Sequence, residues 1–194
     1  MPRGVIDYNN HGGYVDIVDD NNVPTGEVLP LKVANKRKLF HRGAHVVLIT
    51  PDNKVYVQKR SAKQFFMPSR LDISLGGACD PGETPEQAAV REAYEETGLK
   101  IFQKDLEFIT IYRESVYRPS RRTYSRTFSY IFAVRLRDSD QAVNLQAHEV
   151  TSMTAIPMSR LRKLIRRGYD PKLGRLITTR RRYRQILDHL ERMI

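Results

Sequence analysis

Three glutamate side chains stand close together in the sequence, at Glu92, Glu95 and Glu96. On an α-helix these positions fall within about 100° of arc, so the three carboxylates would crowd one face of the helix. Like charges at this spacing repel each other and destabilise the helix unless a cation lies among them. Mg²⁺ prefers carboxylate oxygens and also reaches substrate phosphates. The spacing therefore favours a Mg²⁺ site, with Mn²⁺ as the alternative metal.

Residues on either side of these glutamates could support a metal site. Arg91 places a fixed positive charge beside them and could hold Glu83 or Glu95 through two hydrogen bonds. A glycine-rich loop precedes them, and Gly76 and Gly77 let its backbone run close to a metal and to phosphates. The carbonyls of this loop are further candidate ligands.

A longer pattern contains most of these residues. Residues 77–99 match G-x5-E-x7-R-E-U-x-E-E-x-G-U at every position, where U is an apolar residue. With seven fixed positions, each requiring a residue type present at about 7%, the chance of a match at one register is on the order of 10⁻⁸. A merely solvated acidic helix face, the usual interpretation of three nearby glutamates, does not explain such a match. The pattern is the Nudix box, and the chain resembles the Nudix hydrolase superfamily.

The resemblance implies a fold and a reaction. The fold would be α/β, an α/β/α sandwich around a mixed β-sheet. The reaction would be hydrolysis of a nucleoside diphosphate linked to another group, through attack of a metal-activated water on phosphorus. Mg²⁺ would neutralise the diphosphate and lower the pKa of the bound water, which addresses both barriers to that attack.

The resemblance also assigns roles to residues by their position in the box. The metal-binding catalytic carboxylates would be Glu92, Glu95 and Glu96, with the Gly76 carbonyl as a further metal ligand and with Arg91 and Glu83 as supporting residues. Glu83 would itself be a ligand in some metal states. The general base would be either a box glutamate or a carboxylate of a later loop. Glu149 stands where that later glutamate is expected, and the alternative for it is a solvated loop residue.

The region before the box is similar to the branch of the superfamily that includes isopentenyl-diphosphate isomerase. Those isomerases use a cysteine immediately before the box glycine, where this chain has Gly76, and their box is degraded. The single cysteine, Cys79, lies three residues later and the box glutamates are all present, which favours a hydrolase. One cysteine also excludes an intramolecular disulfide framework and fits a reducing compartment. The first residues hold no apolar run typical of a signal peptide, so we expect a cytoplasmic protein.

A helix must carry these carboxylates. Thr84 is a typical N-cap, Pro85 suits the first helical position, and Gly98 suits the residue just past the end. These signals predict a helix over residues 85–97, with Tyr94 on the side that packs against a sheet. Strands are predicted at residues 43–50, 54–59, 71–75, 106–117 and 127–135, and further helices at 158–167 and from about 176.

The sequence predicts one domain, because no repeat or linker divides it. Residues 1–42 would be an N-terminal lead with a short β-hairpin that is part of the domain. Residues 43–167 would form the Nudix hydrolase domain. Residues 168–194 would form a basic C-terminal helix packed on that domain.

The charge of the chain is strongly basic and unevenly placed. There are 33 Lys and Arg residues against 22 Asp and Glu residues, a formal net charge of +11. Residues 159–194 hold 12 basic and 3 acidic side chains, and a second basic cluster lies between the two long strands predicted in mid-chain. This balance predicts an acidic partner, which is a small phosphorylated substrate, a nucleic acid or an anionic membrane surface.

The mid-chain basic cluster offers candidates for binding the substrate. Arg113, Arg118 and Arg122 are interleaved with tyrosines such as Tyr124, which suits phosphate contacts and base stacking. The alternative is an exposed loop whose arginines meet only water. Phe66 precedes the strand that leads to the box, so it would line the pocket or else pack in the core.

The motif predicts a Mg²⁺-dependent Nudix pyrophosphohydrolase acting on a nucleoside di- or triphosphate or a related nucleotide derivative. The alternative is a module that binds RNA or a nucleotide through its arginine-rich regions, and an isomerase is less favoured. Intact box glutamates favour the enzyme, because a pure binding module has no need of carboxylates that repel each other. The C-terminal helix either docks through its apolar stripe, which is favoured, or binds RNA phosphates. We expect no membrane partner, and a homodimer is one of the oligomeric states left open.

Overall fold

The computed structural model describes residues 13–63, 67–118, 123–137, 150–177 and 180–194. The strands in these ranges are β1 (Tyr14–Val18), β2 (Pro24–Pro30), β3 (Phe40–Ile49), β4 (Lys54–Arg60), β5 (Leu71–Asp72), β6 (Leu75–Ala78), β7 (Glu107–Arg118), β8 (Thr123–Arg135), β9 (Val150–Pro157), β10 (Tyr169–Asp170) and β11 (Gly174–Arg175). The α-helices are α1 (Leu31–Arg37), α2 (Pro85–Thr97), α3 (Met158–Arg167) and α4 (Arg180–Met193), and Gln103–Asp105 forms a 3₁₀ turn. None of the helices in the described ranges combines the length and the apolar character that crossing a membrane requires.

Strand β3 is the centre of a mixed sheet that has nine strands within the described residues. One edge of β3 pairs in parallel with β8 over residues 40–49. Its other edge pairs antiparallel with β1, then β6, then β4. Beyond these, β2 pairs with β1, β7 pairs with β8, and both β5 and β9 pair with β4. Strands β10 and β11 form a separate small hairpin.

Alternate side chains of β3 point to opposite faces of the sheet and help to build two apolar cores. Ala44, Val46 and Leu48 belong to a core that also contains the buried alanines of α2. Val47 and Ile49 belong to a core that contains the apolar residues of α3 and α4. Helices therefore cover both faces, and the α/β/α sandwich around a mixed sheet, predicted from the sequence, is confirmed.

Helix α2 has the bounds that the sequence predicts. Thr84 accepts a hydrogen bond from the backbone N–H of Gln87, whose side chain caps Thr84 in return, and Gly98 ends the helix in the left-handed region. Three alanines and Thr97 are buried along one stripe, which lets α2 lie close to β3 and β6. The prediction that Tyr94 packs on the sheet is wrong, because that side chain lies beyond this narrow stripe and is 53% exposed.

The predicted strand over residues 71–75 is interrupted. The Asp72 carboxylate accepts hydrogen bonds from the backbone N–H and the hydroxyl of Ser74, which bends the chain between β5 and β6. This bend separates the strand that pairs with β4 from the strand that pairs with β3. The single predicted strand is therefore two short strands, and each pairs with a different neighbour.

Helix α4 begins at Arg180 and not near residue 176. Residues 174–177 lie outside any helix, because Gly174 pairs with Asp170 and the backbone N–H of Ile177 donates to the Leu71 carbonyl. The apolar stripe of α4 lies in the core beside α3, with Tyr183, Ile186 and Leu190 each at most 2% exposed.

The N-terminal lead joins the main sheet. Strand β1 pairs with both β2 and β3, and the turn between β1 and β2 is bound by arginines. Arg42 donates to the side-chain oxygen of Asn22 at 2.9 Å and to its carbonyl at 2.7 Å. The described part of the lead is therefore built into the same sheet as the box.

Candidate active site

The glycines at the end of β6 allow the box to lie directly against β3. Gly76 pairs with His45 and Gly77 with Ala44 in the antiparallel ladder. Gly76 has a φ of +147°, and a Cβ there would lie 2.0 Å from the Ala44 carbonyl oxygen. A Cβ on Gly77 would lie 2.4 Å from Oε1 of Glu92. The Glu92 carboxylate of α2 therefore packs directly against the glycine backbone, and a side chain at Gly77 would occupy the same space.

Arg91 is the centre of the acidic cluster. Its Nε and Nη2 donate to the two carboxylate oxygens of Glu83 at 3.0 and 2.9 Å. Its Nη1 donates to Glu92 at 2.9 Å and to Glu95 at 3.0 Å, and Nη2 also donates to the Ala78 carbonyl. These contacts use every N–H of the guanidinium. One arginine therefore gathers three of the predicted site carboxylates.

The electrostatics of the cluster keep Arg91 charged. Burial opposes the charged guanidinium, but the hydrogen bonds that it donates to Glu83 and the charge of Glu92 outweigh this effect and raise the pKa of Arg91 far above its ordinary value. The side chains of Glu83 and Glu92 are only 14% and 13% exposed. Several carboxylates thus share one cation, and the cluster retains an excess of negative charge.

Glu96 contacts the same stretch of glycine backbone. It is 5% exposed, and its Oε1 accepts a hydrogen bond from the Gly76 backbone N–H at 3.0 Å. Glu92 and Glu96 therefore contact the two box glycines from α2. A buried carboxylate at this position fixes the strand to the helix that carries the acidic cluster.

The oxygen atoms of this cluster are suited to a hard divalent cation, although the carboxylate side chains are arranged around Arg91. Within the described ranges, no three Asp, Glu, His or Cys side chains converge as a metal site. The groups present are carboxylate oxygens and glycine carbonyls, the ligands that Mg²⁺ and Mn²⁺ take. The excess negative charge around one guanidinium also favours a further cation.

The loop that leads into α2 is held by backbone hydrogen bonds. Glu83 accepts from the Asp80 N–H at 2.9 Å, and Asp16 of β1 accepts from the Gly82 N–H at 2.7 Å. Cys79 lies in this loop and is buried, and burial raises the pKa of its thiol to about 12, with a further contribution from the charge of Glu83. Such a thiol stays protonated at neutral pH, which agrees with its interpretation as a small loop residue.

The residues predicted to bind substrate, where the structure describes them, contact other residues of the protein. Arg113 pairs with Asp20 in the β1–β2 turn, and its guanidinium lies 4.7 Å from the centre of the Phe40 ring. Tyr124 packs against Tyr117 at 5.1 Å between ring centres. Phe66, Arg122, Glu149 and the side chain of Arg118 lie outside the described residues. The roles of all six stay predictions.

The sheet face opposite α2 holds polar residues that the sequence analysis did not identify. Glu114 of β7 accepts a hydrogen bond from the Ser129 hydroxyl at 3.1 Å and pairs with Nη1 of Arg182 at 3.4 Å. Burial, and then the positive charges of Arg182 and Arg60, lower the pKa of His45 well below its ordinary value. The alternation of β3 could have placed His45 on this face, whereas nothing local in the sequence places Arg182 there.

Comparison with known proteins agrees with the fold and the box. The family model described as the NUDIX domain matches residues 39–176. The chain is 29% identical over 129 residues to a protein of Methanosarcina mazei named prenyl-diphosphate phosphatase, covering 66% of this chain and 69% of that protein. It is 37% identical over 84 residues to an uncharacterised Nudix hydrolase of Streptomyces coelicolor, covering 43% of this chain. That match spans 46% of the Streptomyces protein.

A solved structure shows the same fold. The crystal structure of DR0079 from Deinococcus radiodurans has a TM-score of 0.61 and covers 92% of this chain and 98% of its own. The two sequences are 22% identical, so this likeness concerns the fold.

Proposed function

The chain belongs to the NUDIX domain family, whose hydrolases act on phosphoric anhydride bonds, and we propose that it is a Mg²⁺-dependent pyrophosphohydrolase. The observation that carries this proposal is the arrangement of four box glutamates around Arg91 and the box glycines. Glu83, Glu92 and Glu95 accept hydrogen bonds from Arg91, and Glu96 accepts one from Gly76. A purely structural helix gains nothing from such an excess of buried carboxylates.

The residues proposed to hold the metal are Glu92, Glu95 and Glu96, with the Gly76 carbonyl and Glu83 as further ligands. When bound, Mg²⁺ would neutralise the phosphate charge and supply a water of lowered pKa. Arg91 positions the carboxylates through its fixed fork of N–H groups. Mn²⁺ is the alternative metal, and Glu149 or a box glutamate is the proposed general base.

The proposed substrate is a nucleoside di- or triphosphate or a related nucleotide derivative. A prenyl diphosphate is a second candidate, because the Methanosarcina mazei relative carries the name prenyl-diphosphate phosphatase. In both classes the bond to be cleaved joins two phosphorus atoms through oxygen. A cytoplasmic location and a small phosphorylated partner belong to the same proposal.

The other functions predicted from the sequence are less well supported. An isomerase would need a reactive thiol before the box glycine, but Gly76 stands there and burial raises the pKa of Cys79. An RNA-binding module would use the arginines of α4, yet the apolar stripe of that helix is buried against α3. The exposed arginines of α4 leave RNA as an outcome to be tested.

The decisive experiment measures hydrolysis of a panel of substrates, with the products separated by chromatography, in MgCl₂, in MnCl₂ and in EDTA. The panel holds nucleoside di- and triphosphates, sugar nucleotides, dinucleotides, capped RNA and prenyl diphosphates. We expect turnover with Mg²⁺ and at least about a hundredfold lower kcat for Glu96→Gln, the size usual for a group that acts on the reacting atoms. Glu86→Gln, on the same helix but outside the acidic cluster, is the matched control.

Two outcomes would contradict the proposal. One is a wild-type protein that turns over no member of the panel with either metal. The other is a Glu96→Gln variant as active as wild type. Tight RNA binding that weakens steeply with salt, without any turnover, would instead support the binding module.

A further inference from the structure

Arg182 in the first turn of α4 has two side-chain nitrogen atoms without a hydrogen-bond partner among the described residues. Its side chain is 11% exposed, and its Nη1 pairs with Glu114 at 3.4 Å. Its Nε and Nη2 are buried and make no hydrogen bond with any described residue. Leaving charged N–H groups buried and unsatisfied is costly, so native proteins usually retain such groups for a reason.

The two unsatisfied groups are on the same side of the guanidinium. Nε and Nη2 point their N–H bonds in parallel and form the fork that matches two oxygens of a carboxylate or a phosphate. Among the described residues, two other arginines bind a carboxylate through this fork. Arg91 binds Glu83 through Nε and Nη2, and Arg160 binds Asp170 through the same two atoms at 2.7 Å each. The fork of Arg182 is therefore suited to an anion with two adjacent oxygens.

The sequence at the start of α4 is also strongly basic. The helix begins with three arginines at residues 180–182 and has no acidic residue in its first turn. Cations at a helix N-terminus are unfavourable, because the N–H groups there already carry partial positive charge. A bound anion would relieve both the repulsion and the unsatisfied fork.

The position of Arg182 connects it to the candidate active site. Its charge acts on His45, and His45 pairs in the β-ladder with Gly76. Its ion-pair partner Glu114 lies on β7, beside Ser129 of β8, which pairs with Gly43 of β3. Arg182 therefore lies over the part of β3 that pairs with the box glycines of β6, on the face opposite α2.

We infer that Arg182 binds a phosphate group of the substrate, so that the C-terminal helix contributes a substrate-binding residue to the site. The inferred ligand is a phosphate and not a carboxylate, because this inference rests on the proposed function and its diphosphate substrate. Glu114 holds Nη1, and no described residue accepts a hydrogen bond from the fork. The helix thereby acts in recognition as well as in the core.

The test measures binding of inorganic pyrophosphate to the full-length protein by calorimetry in EDTA, which separates this contact from metal binding and from turnover. We expect Arg182→Gln and Arg182→Lys each to weaken binding about tenfold or more, because both lose the fork and the lysine retains only the charge. Arg184→Gln removes the same charge from an exposed position of the same helix, and its affinity should stay within about twofold of wild type.

The variant Glu114→Gln separates recognition from a structural role. It breaks the same ion pair from the other side, so a structural role predicts that it impairs binding as Arg182→Gln does. Recognition predicts the opposite, because removing a negative charge beside the fork should leave pyrophosphate affinity unchanged or increase it. If Arg182→Gln does not fold, Arg182→Lys and Glu114→Gln still decide the question.

The inference and the proposed function can fail independently of each other. Unchanged pyrophosphate affinity in Arg182→Lys, or equal losses in Glu114→Gln and Arg182→Lys, would overturn the inference even if the enzyme is active. Loss of affinity in Arg182→Lys alone would support it even if no substrate on the panel is turned over. With an active enzyme, the same lysine variant should raise KM more than it lowers kcat.

Discussion

Arg91 holds Glu83 through both carboxylate oxygens, at 3.0 and 2.9 Å, across the turn that leads into α2. The pair joins the box loop to the helix eight residues later, and the remaining N–H groups of Arg91 reach Glu92 and Glu95. Because all of these contacts belong to one planar guanidinium, the positions of the carboxylates are coupled. A change at Arg91 should therefore affect both the stability and the activity of the protein.

We expect Arg91→Lys to lower turnover at least about tenfold and the free energy of unfolding by about 2 kcal/mol, because lysine cannot form the fork and leaves buried carboxylates unsatisfied. Urea denaturation and the substrate-hydrolysis assay measure the two effects. The control is Arg137→Lys, whose partner is Asp105 and whose side chain is 66% exposed, and it should change neither. Wild-type turnover in Arg91→Lys would argue against a positioning role.

Gly77 and Gly76 should differ when each is replaced by alanine. A Cβ at Gly77 meets the Glu92 carboxylate, whose side chain can move, so Gly77→Ala should lower activity with little change in Tm. A Cβ at Gly76 meets the Ala44 backbone at 2.0 Å, and its φ of +147° is unfavourable for alanine, so Gly76→Ala should lower the Tm strongly. Differential scanning calorimetry and the activity assay compare them, and equal Tm losses would refute the distinction.

The sequence predicts α2 well because its signals are local: Thr84, Pro85 and Gly98 each act on their own backbone. It does not predict the bend between β5 and β6, because a side-chain bond from Ser74 to Asp72 interrupts a segment with ordinary strand composition. Arg182 could not be predicted to contact Glu114, since 68 residues separate them and only the packing of α4 on the core brings them together.

The thiol of Cys79 should be unreactive in the folded protein. Its pKa is raised to about 12 by burial, so very little thiolate is present at pH 8. Labelling with a thiol-reactive dye should be slow in buffer and fast in concentrated urea, where the cysteine is exposed. Cys79→Ala should keep wild-type turnover. Rapid labelling of the native protein, or loss of activity in the Cys79→Ala variant, would support a chemical role for this residue.

The ion pair between Asp170 and Arg160 should make stability depend on pH. The hydrogen bonds from Arg160 hold the pKa of Asp170 well below its ordinary value. A carboxyl whose pKa is depressed in the folded state stabilises that state above its unfolded pKa of about 4, and this contribution is lost as the pH falls. We expect Asp170→Asn to lower the Tm by several degrees at neutral pH, and we expect the difference from wild type to narrow only as the pH falls below about 4. A difference that widens on acidification would contradict this assignment.

The apolar stripe of α4 should contribute strongly to stability. Ile186 is fully buried between α4 and the core, and the Tyr183 hydroxyl donates to Asp72 at 2.9 Å. We expect Ile186→Ala to lower the free energy of unfolding by about 2–4 kcal/mol, the usual cost of such a cavity. Tyr183→Phe should cost about 1 kcal/mol, because it removes one buried hydrogen bond and keeps the ring.

Arg184→Ala is the matched control for this helix, because its side chain is exposed and its loss should change the unfolding free energy by less than about 0.5 kcal/mol. The boundaries at residues 43–167 and 168–194 stay predictions, and this comparison tests whether the second segment is part of the same cooperative unit. One urea transition, shifted as a whole by Ile186→Ala, would show that α4 unfolds together with the sheet. Two separate transitions, with only the first shifted, would show that α4 is an independent segment. In that case Arg182 would be held over β3 too weakly to select a substrate.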